Sequence, residues 1–517
     1  MNRRILLAVG AVTLLGFLLR LHLYGQSLNG DELSTLWIVE NNGLGGVVDV
    51  VSSDAEITPP LNFVLSWLAT RLGSAPELIR LPALIAGTAS IPLVYLLGSW
   101  TVSRRAGLAG AALFAISAPM TYYGANGRAY ALLILLLLGS TLAMLRASRG
   151  GGGGWWAGYA ALSAAAMYTH YTAAFVLIAQ LGWLLVFQPA ARLRALAWNA
   201  AAAVLFLPWL PGLRDDLDSP TTQVLQALQG TGFTAKRLGI EQWLIGHPRV
   251  DPTVIPGNAV LVVACAGLLF AALAAAFALR RGRAMIAPDR PVPHGLSLLI
   301  ALALATPVLE GLLTLLGTDL LGAQNLTASW YGVAAAAGAL VTLPGGVATI
   351  VSAVLVFGAF GAAQLKLRGD DGATADFRGS AELIDREAAP GDVVVDMFSA
   401  LVTPVPLTPL DVYLEQDLPQ YPLNLPDGPP PFLALTPPIP PPEAELRKAF
   451  RRAEGHKVFF VVPKELSVEE SRTARRPSLV GYSVVLPAGA RIVGEREFPS
   501  YHSSSVYEVE TPSAAAP

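Results

Sequence analysis

The sequence contains one cysteine, Cys265, which lies in the apolar run 259–279. A lone cysteine excludes a disulfide framework and a thiolate metal site. Charge is scarce as well: 14% of the 517 residues are Asp, Glu, Lys or Arg, whereas soluble proteins average about 25%. The 35 Lys and Arg are dispersed and the formal net charge is −2, so the composition indicates no nucleic-acid partner.

Long apolar runs replace the missing charge, and hydrophobic residues make up 53% of the chain. A helix of about 20 apolar residues crosses the roughly 30 Å hydrocarbon core of a bilayer. The sequence therefore predicts a polytopic α-helical membrane protein. We predict 11 transmembrane helices, near 1–24, 80–102, 104–122, 127–146, 154–170, 171–188, 195–213, 256–280, 294–317, 326–344 and 346–366. The first run has the basic start of a signal peptide but lacks a small-x-small cleavage site, which favours an uncleaved span.

Arginine clusters predict the orientation of these spans. The clusters at 3–4, 104–105, 146–149, 192–194 and 280–283 all fall on one side if the N-terminus is cytoplasmic. This arrangement requires that Thr58–Gly73 does not cross, and its apolar part is indeed short for a span. We therefore expect a multi-pass protein of the cell membrane, with extracytoplasmic loops at 25–79 and 214–255.

The composition changes after Lys366, where charged residues and short strand-like runs replace the apolar helices. Strands are predicted at 392–397, 431–436, 457–463, 477–486 and 504–510, with helices near 379–389 and 443–454. Alternation of strands and helices is typical of an α/β domain. The sequence thus predicts a transmembrane domain at 1–366 and a soluble α/β domain at 367–517, which an odd number of spans makes extracytoplasmic.

Two adjacent carboxylates, Asp31 and Glu32, follow the first span and begin a helix-like stretch. One interpretation is structural: Asp31 is the N-cap, and Glu32 favours the positive end of the helix. The other is catalytic, because a carboxylate is a suitable general base. Neighbouring helical residues point about 100° apart, so only one of the pair is expected to face a pocket.

Further candidate residues lie at the predicted outer ends of spans. Two guanidinium groups on one rim suit a phosphate, while a single arginine there often only reaches lipid headgroups. The structural alternative for His170 is an interfacial histidine in an aromatic belt. For Glu310 it is a buried carboxyl in an ion pair. The candidate binding residues are Arg128, Arg80, Tyr130, His170, Tyr171, Glu310, Pro59 and Pro60. The scattered histidines predict no metal site, and a divalent cation held by carboxylates stays open.

Several motifs occur in the order of a known family. These are "GDE" after the first span, "TPPLNFVLSWLATRLG", "ELIRLPALIAGTASIPLVYLLG", "NGRAYALL", "YTHYTAAF" and, after the last span, "DFRGSAELIDREAAPGDVVV". The chain resembles the bacterial protein O-mannosyltransferase-like glycosyltransferases of the GT-C class, a group that includes the lipid A aminoarabinose transferase. Thr58 stands where many of these proteins have a histidine or an acid before the proline pair.

The resemblance implies transfer of a sugar, with inversion, from a polyprenyl-phosphate donor to a protein, glycolipid or polysaccharide acceptor outside the membrane. The sugar would be a mannose-like hexose or an arabinose-type pentose. Asp31 would be the general base, and Glu32 would assist it or bind a cation. Arg128 would hold the lipid phosphate, with Arg80 and His170 nearby, and Pro59 and Pro60 would shape the loop over the site.

Two other functional classes remain as alternatives. A membrane transporter or a flippase of lipid-linked sugar would tend to have repeated halves and polar residues near mid-membrane, and neither is evident here. A non-catalytic membrane subunit would use the outer domain to bind a partner. Sugar transfer that survives deletion of the outer domain and is lost in Asp31→Asn would separate the enzyme from such a subunit. A flippase would instead keep moving lipid when Asp31 is neutralised.

Overall fold

A computed structural model of the chain describes residues 3–53, 56–219, 232–246, 259–283, 286–287, 292, 294–369, 376–397, 407–423, 442–463, 466–470, 476–480, 483–500 and 503–513. The chain divides into two compact units. The first consists of Met1–Tyr24 and Asn42–Arg368, and the second of Gly25–Asn41 and Gly369–Pro517. The predicted strand at 431–436 and part of the predicted outer loop 214–255 lie outside the described residues.

Helices account for nearly all of the described first unit. Among the described residues up to Arg368, the α-helices in chain order are α1 Arg3–Tyr24, α2 Gly30–Glu40, α3 Leu44–Val51, α4 Leu61–Thr70, α5 Leu81–Thr101, α6 Arg104–Ile116, α7 Ala118–Tyr123, α8 Tyr130–Ser148, α9 Gly153–Met167, α10 Ala173–Phe187, α11 Arg192–Phe206, α12 Leu210–Asp218, α13 Phe233–Leu244, α14 Ala259–Arg280, α15 Gly295–Leu315, α16 Trp330–Thr342 and α17 Gly346–Leu367. Of these, α2 belongs to the second unit.

Within the described residues, seven helical segments are long and apolar enough to cross a membrane. They are Arg3–Tyr24, Pro76–Thr101, Tyr130–Ser148, Pro189–Asp218, Ala259–Arg280, Gly295–Leu315 and Gly346–Leu367. The remaining predicted spans correspond to shorter helices, such as α9 and α10 with 15 residues each. The helical membrane fold is confirmed, whereas the number of 11 crossings stays a prediction.

Helix α4 has only 10 residues, which is about 15 Å of helix and half of what a crossing requires. This length agrees with the prediction that Thr58–Gly73 does not cross.

Small residues let the helices of this unit pack closely. A Cβ on Gly338 of α16 would collide with the backbone of Gly110 in α6, and a Cβ on Gly107 would collide with the backbone of Tyr95 in α5. Close backbone approach at glycine is the usual means of helix association where no water is present to drive burial. The glycines thus allow α6 to pack closely against both α5 and α16.

The second unit has an α/β structure. Its further elements are α18 Phe377–Glu387, β1 Val393–Asp396, α19 Pro409–Tyr413, β2 Gln420–Pro422, α20 Pro442–Arg452, β3 Lys457–Pro463, β4 Ser467–Glu469, β5 Ser478–Val480, β6 Ser483–Val485, β7 Arg491–Phe498 and β8 Ser504–Glu510. One sheet has the order β2-β1-β3-β8-β7 and the other β4-β6-β5. The strand-containing C-terminal region is confirmed, and the run predicted at 477–486 forms the two antiparallel strands β5 and β6.

The segment Gly25–Asn41 differs from the prediction, which assigned it to the first loop of the transmembrane domain. It groups with the C-terminal unit because it forms hydrogen bonds there. The Leu28 amide donates to the Tyr413 hydroxyl at 2.8 Å, and the Arg378 amide donates to the Ser27 hydroxyl at 3.0 Å. Asp31 and Glu32 therefore belong to the second unit.

Candidate active site

The two adjacent carboxylates separate as helical geometry predicts. Asp31 lies in the first turn of α2, and its side chain is exposed. Among the residues that the structure describes, its carboxylate has no hydrogen-bond or ion-pair partner, and only its backbone oxygen is engaged, by the Thr35 hydroxyl at 3.1 Å. An exposed carboxylate without a partner is able to accept a proton from an incoming group.

Glu32 is fully buried and has a structural contact. Its Oε2 accepts hydrogen bonds from the Asn29 amide at 3.1 Å and from Asn29 Nδ2 at 2.8 Å. In return, the Glu32 amide donates to Asn29 Oδ1 at 3.1 Å, which completes a capping box. The N-cap of α2 is therefore Asn29, and the interpretation of Asp31 as the N-cap is wrong because the cap lies two residues earlier and the helix begins at Gly30.

In the first unit, Arg128 forms a bidentate ion pair with Glu56, a residue that we did not single out from the sequence. Arg128 Nη1 lies 2.7 Å from Glu56 Oε2, and Nη2 lies 3.0 Å from Oε1. Glu56 is buried, with 8% of its side chain exposed, and Arg128 is largely covered, with 12% exposed. Glu56 belongs to the connection between α3 and α4, and Arg128 precedes α8 by two residues.

The charge of Glu56 is retained despite its burial. Burial alone would raise the pKa of this carboxyl. The Arg128 charge lowers it, as do hydrogen bonds from Arg128, the Ile57 amide and Thr58. The pKa therefore lies below its ordinary value. Thr58, the position that departs from the family pattern, thus contacts the carboxylate of this pair.

His170 lies in the turn between α9 and α10, beside the same ion pair. Its Nδ1 accepts a hydrogen bond from the Thr172 amide at 3.3 Å and lies 2.9 Å from the Thr172 hydroxyl. Burial and the Arg128 charge lower the pKa of His170 to about 4, although the Glu56 charge acts in the opposite direction. The ring is therefore neutral at pH 7, and because Nδ1 accepts, its proton is on Nε2.

Aromatic rings connect His170 with the start of α8. The ring of Tyr130 lies 5.5 Å from that of His170 and 4.7 Å from that of Tyr123. Arg128 lies over the ring of Phe63 in α4, at 5.7 Å. The structure thus brings Arg128, Tyr130 and His170 together and adds Glu56 to the group; their role in substrate binding stays a prediction.

The next residue, Tyr171, has partners of its own. Its hydroxyl donates to Asp216 of α12 and accepts a hydrogen bond from Trp209 Nε1 at 2.9 Å. Burial and the Asp216 carboxylate raise the pKa of the Tyr171 hydroxyl. Tyr171 therefore connects the 170–172 turn to α12.

Arg80 is a buried arginine that binds the end of α1. Its Nη1 donates to the carbonyl oxygens of Tyr24 at 2.7 Å and Leu23 at 3.3 Å. A cation at the last carbonyls of a helix satisfies unpaired acceptors and interacts favourably with the helix dipole. The structure therefore gives Arg80 a role in ending α1, and the phosphate contact suggested by the sequence stays a prediction.

The proline pair and Glu310 complete the predicted set. Pro60 precedes α4, and the Leu61 amide that follows it donates to the Tyr168 carbonyl at 3.0 Å, so the pair is tied to the turn that carries His170. Glu310 is buried in α15, and neither carboxyl oxygen has a hydrogen-bond partner among the described residues. Within the same residues, no three His, Cys, Asp or Glu side chains are arranged to hold a metal ion.

Comparisons with known proteins agree with this fold. Residues 58–212 match the family described as dolichyl-phosphate-mannose-protein mannosyltransferase. A structure of ArnT from Cupriavidus metallidurans bound to undecaprenyl phosphate matches with a TM-score of 0.54 and 14% identity, and the match covers 99% of both chains. The chain shares the ArnT fold. The apo form of ArnT matches with the same TM-score, 13% identity and 97% coverage of both chains.

These matches confirm the resemblance to mannosyltransferase-like and ArnT-like proteins that the sequence motifs suggested. The family match covers α4 to α11 and ends in the first turn of α12, so it contains Arg128 and His170 but not residues 369–517. A search of curated proteins finds no match.

Glu56 is the residue that sequence reasoning missed. It is separated from Arg128 by 72 positions, and no periodicity or motif connects the two. The available signal was the scarcity of charged residues. In a chain with few of them, an acid in the first predicted loop and an arginine at the outer end of a span are candidates for an ion pair.

Proposed function

We propose that the protein is an integral-membrane glycosyltransferase that uses a polyprenyl-phosphate sugar donor. The observation that carries this proposal is the whole-chain match to ArnT, in a structure that also contains undecaprenyl phosphate. The family match over residues 58–212 supports the same reaction class, because the description of that family names dolichyl-phosphate mannose, a sugar linked to a polyprenyl-type phosphate.

Asp31 is the proposed general base. Its exposed carboxylate takes the proton from an acceptor hydroxyl as the acceptor oxygen bonds to the anomeric carbon of the sugar. The bond between the anomeric carbon and the phosphate oxygen breaks, the electron pair leaves with polyprenyl phosphate, and the configuration inverts. Glu32 supports this step indirectly, because its capping box fixes the first turn of α2, which carries Asp31.

Arg128 is the proposed partner of the lipid phosphate. Its guanidinium already holds an oxyanion in a bidentate arrangement, and the same fork fits a phosphate. Neutral His170 and Tyr130 lie beside it and offer an imidazole N–H and a hydroxyl for the phosphate or the sugar. Glu310 is proposed to bind substrate through its unpaired carboxyl oxygens. Acceptor and active site are expected on the extracytoplasmic side of the cell membrane.

Transfer of labelled sugar from polyprenyl-phosphate-linked mannose, glucose or arabinose tests this proposal. We expect purified protein in lipid nanodiscs to release polyprenyl phosphate from one of these donors when acceptor extract is added, and the product to have the inverted anomeric configuration by NMR. Retention of configuration contradicts the single displacement. Movement of the intact donor across a bilayer without release would favour the flippase instead.

A further inference from the structure

The ion pair between Arg128 and Glu56 has the bidentate geometry in which arginine also binds a phosphate. Two parallel N–H···O contacts of 2.7 and 3.0 Å join the guanidinium to one carboxylate, and this fork-to-fork arrangement is the one that arginine uses for carboxylates and phosphates alike. Because the carboxylate already engages these N–H groups and only 12% of the Arg128 side chain is exposed, a phosphate reaches the same two N–H groups only after the carboxylate has left.

Glu56 is held by few other contacts, and they are local. Its carboxylate otherwise accepts hydrogen bonds from the amide of the next residue, Ile57, at 3.1 Å and from Thr58. All three residues precede Pro59 in the connection between α3 and α4 and lie in neither a helix nor a strand. Arg128, by contrast, lies two residues before the long helix α8 and lies over Phe63. The carboxylate side of the pair is therefore the side able to move.

We propose that Glu56 occupies the phosphate site of Arg128 as an internal substitute, and that binding of the lipid-linked phosphate displaces it. This exchange rests on the proposed function, since it requires a phosphate-bearing lipid. On displacement, the 56–58 segment loses its contact with Arg128, so the connection leading to Pro59 and Pro60 rearranges only when the donor is bound.

The exchange leaves Arg128 paired with a negative charge throughout, provided that the displaced Glu56 carboxylate moves towards water. A sugar-phosphate-lipid diester has one negative charge, as Glu56 has, so the charge beside Arg128 is unchanged by the exchange. The product monoester has a charge of about −1.5 to −2 at pH 7, so Arg128 attracts it more strongly than it attracts the diester. Neutral His170 adds no second cation that would hold Glu56 in place.

Equilibrium binding of undecaprenyl phosphate to protein in nanodiscs tests the exchange. Glu56→Gln removes the competing charge, so we expect the dissociation constant to fall by about tenfold, since a competing internal state weakens apparent affinity by the fraction of competent protein. Undecaprenol, which lacks the phosphate, should bind wild type and Glu56→Gln equally.

Two control variants separate exchange from other effects. Asp49→Asn removes an exposed charge from the same predicted outer loop and should leave the dissociation constant unchanged. It controls for the effect of losing any negative charge from this loop. Glu56→Gln combined with Arg128→Gln should show no gain over Arg128→Gln alone, because the competition requires the guanidinium. Thermal unfolding without lipid establishes that each variant is folded.

The outcomes distinguish this inference from the proposed function. If Glu56→Gln binds undecaprenyl phosphate as tightly as wild type or less tightly, Glu56 is a fixed structural partner of Arg128 and the exchange is wrong, while the glycosyltransferase proposal stands. If neither wild type nor Glu56→Gln binds the lipid, the polyprenyl-phosphate donor is wrong as well.

Discussion

Asp31 and Glu56 are carboxylates from the same predicted outer loop, yet their surroundings are opposite. Asp31 is exposed in the first turn of α2, and its carboxylate has no partner among the described residues. Glu56 is buried in a bidentate pair with Arg128, and its pKa is lowered. Of these two carboxylates, only that of Asp31 is open to an incoming group, whereas that of Glu56 is engaged by a cation.

The largest effect is expected from breaking the buried pair. Arg128→Gln leaves the Glu56 charge buried without its counter-ion, and we expect the free energy of unfolding to fall by about 3–5 kcal/mol. Thermal unfolding in detergent measures this change. The exposed Arg71, which lies over Trp67 at 4.5 Å, gives the control Arg71→Gln, for which we expect little change.

The double variant Glu56→Gln, Arg128→Gln sharpens this prediction. It removes both charges, so it should unfold at a higher temperature than Arg128→Gln alone. A double variant at least as unstable as the single one would mean that the two side chains do not act as a pair.

The pH dependence of stability offers a second test of the buried cluster. Because the pKa of folded His170 is about 4 and its ordinary value is 6.5, the unfolded chain takes up a proton first as the pH falls. The contribution of neutral His170 is therefore complete above pH 6.5 and is lost as the pH drops towards about 4, by at most about 1.4 kcal/mol per pH unit.

Glu56 and Arg128 are the charged groups that act on this histidine. Glu56, whose pKa is lowered, loses its contribution only below its ordinary value of 4.5, so His170 dominates between about pH 6.5 and 4.5. Unfolding temperatures of wild type and His170→Asn measured across this range should converge at low pH. Parallel curves would contradict the buried neutral histidine.

The smallest effect concerns the helix that carries Asp31. Asn29→Ala removes two side-chain hydrogen bonds of the capping box and should lower the free energy of unfolding by about 1 kcal/mol. Asn29→Ser preserves an N-cap acceptor and should restore most of this loss. If both variants match wild type in thermal unfolding, the capping box does not stabilise α2.

Strong local patterns predicted the fold well. The apolar runs that became α1, α5, α8 and α17 are long and uninterrupted, and alternation of short strands with charged helices marked the C-terminal unit. The interpretation of Asp31 as the N-cap of α2 was wrong although the sequence contained a signal for the correct residue. Asn29 followed three residues later by Glu32 is the sequence signature of a capping box.

Long-range pairing could not be predicted from the same sequence. Nothing local to Glu56 indicates that it contacts Arg128, and nothing local to Arg80 indicates that its guanidinium binds the last carbonyls of α1. These contacts depend on which helix ends meet after folding. Composition restricts the partners to a few charged residues, but only the three-dimensional arrangement selects among them.

Sugar transfer by Asp31→Asn, compared with wild type, tests the central claim most directly. The change preserves the size of the side chain and removes the proton acceptor, so we expect transfer from the accepted polyprenyl-phosphate donor to slow by ~10² or more while thermal unfolding is unchanged. Glu40→Gln, an exposed acid at the other end of α2, should transfer at the wild-type rate. Transfer by Asp31→Asn at the wild-type rate would contradict Asp31 as the general base.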